Sequence, residues 1–368
     1  LRGPQGTLFG RHTTGGAVSV FLRDPEFAFG GYAEIGYGSY DLKLGRASID
    51  VPLADTFAVK ISGYWQDDDG YARNTTTGEQ LNQSDGWGVR LGLRGELSDT
   101  VNWSASYIRT ETEAANLLNF DCDPRNPSDC DGRFITTGYP TDGNFGNRFT
   151  GEKDEYGLGN LTTMDFVSSN LELGSGGPVT VNVITGYVYT TQDYALDFAD
   201  GRATPSLAAP RPAVRGFPLG GFTIVNEGEF SQFTQEVKAN ASIGDGLLDL
   251  VGGVYYFEED NFSDFGDLFT LGSGFPLILA DRTLRNTTRA WAGYLQGDLH
   301  VTDAITVTAG IRYTDEKKQF SITDNRASCN DGTLEVTCLS NPNLTAANGR
   351  AIPRAQHLQI WAPRVAVN

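Results

Sequence analysis

The sequence predicts an all-β chain, the wall of an antiparallel transmembrane β-barrel, with a short glycine-rich segment in front of it. Three observations predict it. Long stretches alternate apolar and polar residues with a period of two, which is the signature of strands with two unlike faces. Short and long connections alternate along the chain with a fixed parity. Glycine is frequent at 45 residues and aromatics make up 11%, while helix-favouring runs of Ala, Leu, Glu and Lys are missing.

The opening segment is LRGPQGTLFGRHTTGGAVSV. Gly3, Gly6, Gly10, Gly15 and Gly16 punctuate a compact, turn-rich run, because glycine supplies positive φ and close backbone approach. A phosphate-cradling loop is the rival reading, but no Gly-Lys-Ser/Thr follows and no strand–loop–helix context is present. There is no initiator Met, and the only Met is Met164. The chain therefore reads as the end of a small domain followed by the start of a large β-structure.

The strands follow. Expected strands cover 29–38, 42–52, 57–69, 86–97, 101–113, 162–173, 179–196, 230–243, 247–262, 289–301, 305–321 and 358–368, about twelve in all. Most reach the ~9–11 residues needed to cross a bilayer. In 57–66, Phe57, Val59, Ile61 and Trp65 oppose Lys60, Ser62, Tyr64 and Gln66. In 86–97, Trp87, Val89, Leu91, Leu93 and Leu97 oppose Arg90, Arg94 and Glu96. In 230–243, Val237, Ala239, Ala241 and Ile243 oppose Thr234, Glu236, Lys238, Asn240 and Ser242. In 304–314, Ile305, Val307, Ala309, Ile311 and Tyr313 oppose Thr306, Thr308, Arg312 and Thr314. The polar face is expected to line a lumen and the apolar face to meet lipid.

Short turns are expected at 53–56, 98–100, 174–178, 244–246 and 302–304, and long connections at 71–85, 115–160, 198–228, 266–287 and 323–357. Only the connection near 39–41 is short among the long set. Short turns at one end and long loops at the other are what an outer-membrane barrel shows. A soluble sandwich or propeller has no reason to keep that parity.

Composition narrows the function classes. No stretch reaches the ~18–20 apolar residues of a membrane helix. A mean hydropathy of −0.30 does not make the chain soluble, because a barrel strand shows lipid only every second residue. The net charge of −18 speaks against nucleic acid as a partner, since phosphates need a basic surface. The four cysteines form two close pairs in loop-like sequence, Cys122 with Cys130 and Cys329 with Cys338. Two local disulfides in an oxidising compartment fit that spacing. Free thiols stay open as the alternative. The spacings are not those of zinc sites and no His lies near, so no metal is expected there.

The opening segment closely resembles the end of the plug domain of TonB-dependent outer-membrane receptors, whose usual wording is L-R-G-P-x-G-x-L-[FY]-G-R-N-x-x-G-G-A-[IV]-[NS]-[IV]. The match covers about twenty residues, from Leu1 to Val20, and departs at His12, where Asn is usual. Its motif residues are Arg2, Gly3, Pro4, Gly6, Gly10, Arg11, Gly15 and Gly16. The resemblance implies residues 1–28 as the C-terminal end of a plug and 29–368 as the N-terminal portion of the barrel. Such transporters have 22 strands around a plugged lumen, so about twelve is roughly half a barrel. It also implies a bacterial outer-membrane location and energised uptake of a scarce small-molecule ligand. That ligand is often a ferric siderophore or similar metal chelate; a cobalamin or an oligosaccharide is the alternative. The energy partner is the inner-membrane TonB complex, acting on a box that precedes the plug and is not in this sequence. The sequence as it stands is thus not expected to transport by itself.

Plug–barrel ion pairs are known in that family, and here Arg2 and Arg11 stand against Glu236, Glu96 and Asp50 as candidates; solvated lumen charges are the plain alternative. Asp67-Asp68-Asp69-Gly70, the acids from Asp121 to Asp131, and Glu258-Glu259-Asp260 invite a calcium reading, but none has the spacing of a calcium-binding helix-loop-helix. Trp65, Tyr71, Tyr107, Tyr187, Tyr189, Tyr256, Trp291 and Tyr313 lie toward strand ends and suggest a membrane-interface girdle rather than core aromatics. His12, His300 and His357 are isolated, no nucleophile elbow or zinc-protease motif occurs, and no catalytic residue or cofactor is expected. A passive porin would share the strand parity without a plug. A secreted β-rich binding protein would account for the sequons at Asn74 and Asn240, although Asn240 falls on a strand's polar face.

Overall fold

A computed structural model describes residues 22–74, 80–114, 135–136, 159–197, 220–271, 275–302, 304–324 and 355–367. The plug motif from Leu1 to Val20 lies outside the described residues, and so do the acids of 121–131. The expected disulfides lie outside them as well: Cys122 and Cys130 fall in the connection expected at 115–160, Cys329 and Cys338 in that expected at 323–357. Neither the pairing of Cys122 with Cys130 nor that of Cys329 with Cys338 is therefore part of the described structure.

The strands are β1 (Gly30–Tyr37), β2 (Lys43–Ala54), β3 (Phe57–Asp67), β4 (Ala72–Asn74), β5 (Gln80–Leu81), β6 (Ser84–Ser98), β7 (Val101–Ala114), β8 (Ile135–Thr136), β9 (Gly159–Leu173), β10 (Val179–Asp197), β11 (Gly220–Ile243), β12 (Leu248–Leu271), β13 (Phe275–Thr302), β14 (Ile305–Asp324) and β15 (Ala355–Val367). Twelve of them form one antiparallel sheet in the order β1-β2-β3-β6-β7-β9-β10-β11-β12-β13-β14-β15. Every neighbour in it is also the next long strand in sequence, so the sheet is a pure meander. β4, β5 and β8 form a small separate sheet.

The expected strands are all present, and two of the expected connections are corrected. The connection expected at 266–287 is mostly strand, because β12 runs to Leu271 and β13 starts at Phe275. β11 likewise begins at Gly220, inside the loop expected at 198–228. Beyond the bilayer both faces of a hairpin meet water, so in/out alternation fades while backbone pairing continues. The ladder there is unbroken from Glu229↔Phe262 to Gly220↔Leu271. The short turns are tight. In the β11–β12 turn Gly244, Asp245 and Gly246 all have positive φ, which explains the glycines on either side of the Asp.

The polarity of the sheet is inverted relative to a soluble protein. Asp50, Lys60, Thr308, Arg312 and Glu316 are buried, whereas Leu91, Val254, Leu295 and Ile311 are exposed. The alternation therefore resolves as expected, with the polar face turned in and the apolar face turned out. Outward from each short turn, the exposed face runs apolar, then aromatic, then charged. On β6 it runs Leu97, Leu93, Leu91, Val89 and Trp87, then Asp85. On β12 it runs Leu248, Leu250, Val254 and Tyr256, then Glu258. On β13 it runs Val301, Leu299, Leu295 and Trp291, then Arg289.

Leu97 and Trp87 lie ten positions apart on β6, about 33 Å along a strand. A tilt of ~40° brings that to about 25 Å, the height of a barrel's apolar band. The aromatics at the upper rim touch one another. Ring centroids are 6.3 Å apart for Phe233–Tyr256, 5.3 Å for Trp291–Tyr313 and 4.7 Å for Tyr313–Trp361. These contacts join part of the expected girdle, Tyr256, Trp291 and Tyr313, with Phe233 and Trp361. Tyr71 stands in a loop, edge-on to Tyr40.

Candidate functional site

The polar face is where a ligand-handling site must lie, since the other face is committed to lipid. Its first part is built by β2, β3 and β6. The hairpin register sets Asp50 directly across from Lys60, and Lys60 across from Gly92. The Lys60 ammonium donates to both Asp50 oxygens, at 2.8 and 3.1 Å, and both side chains are buried.

The segment 22–28 crosses this patch. The Glu26 backbone N–H donates to Asp50 Oδ1 at 3.0 Å. Arg90 Nη1 donates to the Arg23 carbonyl at 2.9 Å. The Arg94 guanidinium sits 4.6 Å over the Phe27 ring. Pro25 is fully buried and stands where Gly92 has no side chain; a Cβ at Gly92 would lie 3.5 Å from Pro25 Cγ. Residues 22–28 are therefore docked on the polar face by hydrogen bonds, a cation–π contact and a packed proline. A buried salt bridge of this kind is held together only while both partners are present.

The second part spans four strands. Tyr294 of β13 reaches across β12 and donates from its hydroxyl to Glu236 Oε1 of β11 at 2.7 Å. It passes over Gly253, the residue directly across from it. An added Cβ there would meet the Val237 carbonyl at 2.7 Å and the Tyr294 hydroxyl at 2.8 Å. Arg312 of β14 stacks 5.7 Å from both the Tyr255 and Tyr294 rings and donates from Nε to Thr314 at 3.1 Å. A third group sits at the short-turn end of the same face. His300 bridges Asp249 and Thr306, each at 3.0 Å, and Ser242 donates to Asp249 at 2.7 Å.

The expected plug–barrel pairs can be followed on the barrel side only, since Arg2 and Arg11 lie outside the described residues. Glu96 is engaged by Arg94 at 3.2 Å and Glu236 by Tyr294. Asp50 instead accepts the Glu26 N–H of the segment 22–28. Lys60 was missed as its partner. A two-residue turn at 55–56 alone would set Asp50 across from Ile61, and the register shift between Pro52 and Ala54 brings Lys60 opposite it instead. The acidic runs resolve differently from a calcium site. Glu258 is held by Arg289 and Asp260 by Arg285, at 2.6 and 2.5 Å. Asp68 Oδ1 accepts its own loop's Gly70 N–H at 2.8 Å. Among the described residues no three His, Cys, Asp or Glu side chains converge as a metal site would require.

No protein-family model matches the chain. The pesticin receptor of Yersinia enterocolitica is 24% identical over 331 residues, covering 86% of this chain and 41% of the receptor. The structure of the ferric yersiniabactin uptake receptor FyuA from Yersinia pestis matches all of this chain and 47% of its own, with a TM-score of 0.67 at 17% identity. The siderophore receptor PiuA from Acinetobacter baumannii matches with a TM-score of 0.68 at 10% identity, again over all of this chain and 50% of its own. The chain has the barrel fold of the TonB-dependent outer-membrane receptors. It spans less than half the length of the curated relatives it matches. In that fold, the docked segment 22–28 lies on the lumen wall, and the charged residues above the aromatic belt lie at the outer boundary of the membrane.

Proposed function

We propose that the protein takes part in energy-coupled uptake of a scarce ligand across the bacterial outer membrane, with a ferric siderophore or similar iron complex as the cargo. One observation carries the reading: a segment separate from the barrel strands is packed on the lumen face, where a passive pore needs open space. The similar proteins are named for ferric yersiniabactin uptake and as siderophore receptors, which supports an iron chelate as cargo. They are receptors rather than enzymes, which supports a role without catalysis. In this reading residues 1–28 end a plug domain, Arg2 and Arg11 sit near the lumen carboxylates, and the inner-membrane TonB complex supplies the energy. Cys122 pairs with Cys130 and Cys329 pairs with Cys338, each disulfide pinning one long external loop. The local spacing of the two pairs supports this.

The test uses the protein expressed from its own reading frame in an iron-starved host. Import of labelled ferric chelates is compared with and without the inner-membrane motor. Saturable import that disappears with the motor is expected. Undiminished saturable import without it would exclude energy coupling and favour a passive channel. Mass mapping of non-reduced peptides checks the loops separately. Four free thiols, or a bridge from Cys122 or Cys130 to Cys329 or Cys338, would rule out the local pairing.

A further inference from the structure

Among the described residues two cations of the lumen wall are buried, Lys60 and Arg312, the latter only 7% exposed. Lys60 has Asp50 as its counter-charge. Arg312 has no carboxylate. Its Nε donates to Thr314 Oγ1 at 3.1 Å, and its guanidinium lies 5.7 Å from the centroids of both the Tyr255 and Tyr294 rings.

The acids around it are committed elsewhere. Glu236, directly across from Tyr255, accepts from the Tyr294 hydroxyl. Glu316 lies 3.1 Å from Lys318. Asp315 is on the other face of β14 and accepts from His357 and Gln359. A charge taken out of water is costly unless it is paired and hydrogen-bonded. The two rings return part of that cost, but they are no substitute for acceptors at the Nη groups, which carry four of the five guanidinium donors.

The neighbours leave room for an acceptor. On the same face Arg312 has Ala362 directly across on β15, Gly310 two positions away on β14, and Ala292 two positions beyond Tyr294 on β13. The local field favours an anion as well. Lys238 lies in the same cross-strand row, through Gly253 and Tyr294, and Arg364 is directly across from Gly310.

We propose that Arg312 anchors an anion site on the lumen wall and takes both oxygens of a carboxylate through its Nη groups. Thr314 and the Tyr255 and Tyr294 rings fix the plane of the fork, which is what bidentate pairing requires. The polarity is opposite to that of the expected Arg2 and Arg11 pairs, in which the wall supplies the acid; here it supplies the cation. The carboxylate belongs either to a free anion in the lumen or to a side chain of the protein outside the described residues. The chemistry is the same, and the test separates the two. The inference depends neither on the cargo nor on how uptake is energised.

The test follows thermal unfolding of the detergent-purified protein, expressed from its own reading frame, in succinate and in chloride at equal ionic strength. Parent and Arg312→Met both carry Glu236→Gln, so that the nearest described carboxylate does not titrate. We expect succinate to raise the parent's midpoint, with an apparent affinity at least about tenfold weaker in Arg312→Met. That result assigns a free anion. A parent indifferent to succinate, with an Arg312→Met deficit at neutral pH that shrinks in mild acid, assigns a carboxylate of the protein itself. Stranded without its cation, that group has a raised pKa, so stability returns as pH falls and it takes up a proton. No succinate response, together with a deficit that pH does not change or with no deficit, overturns the proposal. Equal succinate responses in parent and variant do the same. Should Arg312→Met not fold, Thr314→Val takes its place. It releases the guanidinium from its Nε contact and should weaken whichever response the parent shows; an undiminished response there counts against the proposal.

Discussion

Removing Asp50 should loosen the whole contact between segment 22–28 and the barrel wall. In Asp50→Leu the Lys60 ammonium is left in a buried position without a counter-charge, which costs about 3–5 kcal/mol. The Glu26 amide also loses its acceptor, at about 0.5–1.5 kcal/mol. The single substitution should therefore cost about 3.5–6.5 kcal/mol. Lys60→Met strands the carboxylate instead, but Asp50 keeps the Glu26 N–H, so about 3–5 kcal/mol is expected. Asp50→Leu combined with Lys60→Met removes both charges and leaves only the unpaired amide, about 1 kcal/mol.

The assay is urea-driven equilibrium unfolding from lipid bilayers, with the protein expressed from its own reading frame. Hydrogen exchange at Glu26 provides a local readout. Protection there should fall in Asp50→Leu and persist in Lys60→Met. The decisive result is the double variant being more stable than either single one. If both single variants lie within ~1 kcal/mol of the parent, water reaches the pair and it behaves as an exposed one. That outcome would refute the docking argument.

Much of the fold was legible because the two faces of each strand meet different media. Leu91 and Arg90 are neighbours in sequence, yet one is exposed to lipid and the other donates to the Arg23 carbonyl inside. That contrast repeats strand after strand, so phase and strand count can be read locally. Strand length above the membrane could not. Around Asp260, Phe262, Ser263 and Asp264 both faces are wet, alternation no longer reports orientation, and pairing alone keeps β12 extended. The site was half legible. Asp50 was on the polar face by period, but its pairing with Lys60 depends on the register shift between Pro52 and Ala54, which no local pattern announces. The Tyr294–Glu236 contact depends on the registers of β11, β12 and β13 together and on a missing side chain at Gly253. No local pattern encodes it.

Three further outcomes follow from the same geometry. Leu91→Arg places a charge in the middle of the apolar band at ~2–4 kcal/mol, while Arg90→Ala loses one hydrogen bond at about 1 kcal/mol; equal folding yields into bilayers would reject the assigned phase. Asp41, in the β1–β2 turn, is held below the usual carboxylate range by Lys43 first and by the Tyr37 hydroxyl second. A lowered carboxylate contributes stability at neutral pH that is lost as pH falls through its folded value, so exchange protection at Leu42 should drop in acid, and Asp41→Asn should abolish that drop. Gly253→Ala should break the Tyr294–Glu236 bond, because its methyl group would sit 2.8 Å from the Tyr294 hydroxyl, and crowding of this kind costs about 1–3 kcal/mol. The Val237 carbonyl is closer still, at 2.7 Å, and is backbone, so only the ring's share of the cost should vanish in a Tyr294→Leu background. Unfolding midpoints of the four proteins decide it: a fully undiminished cost in that background would assign the whole clash to the Val237 carbonyl and remove Gly253 from the account of how Tyr294 reaches Glu236.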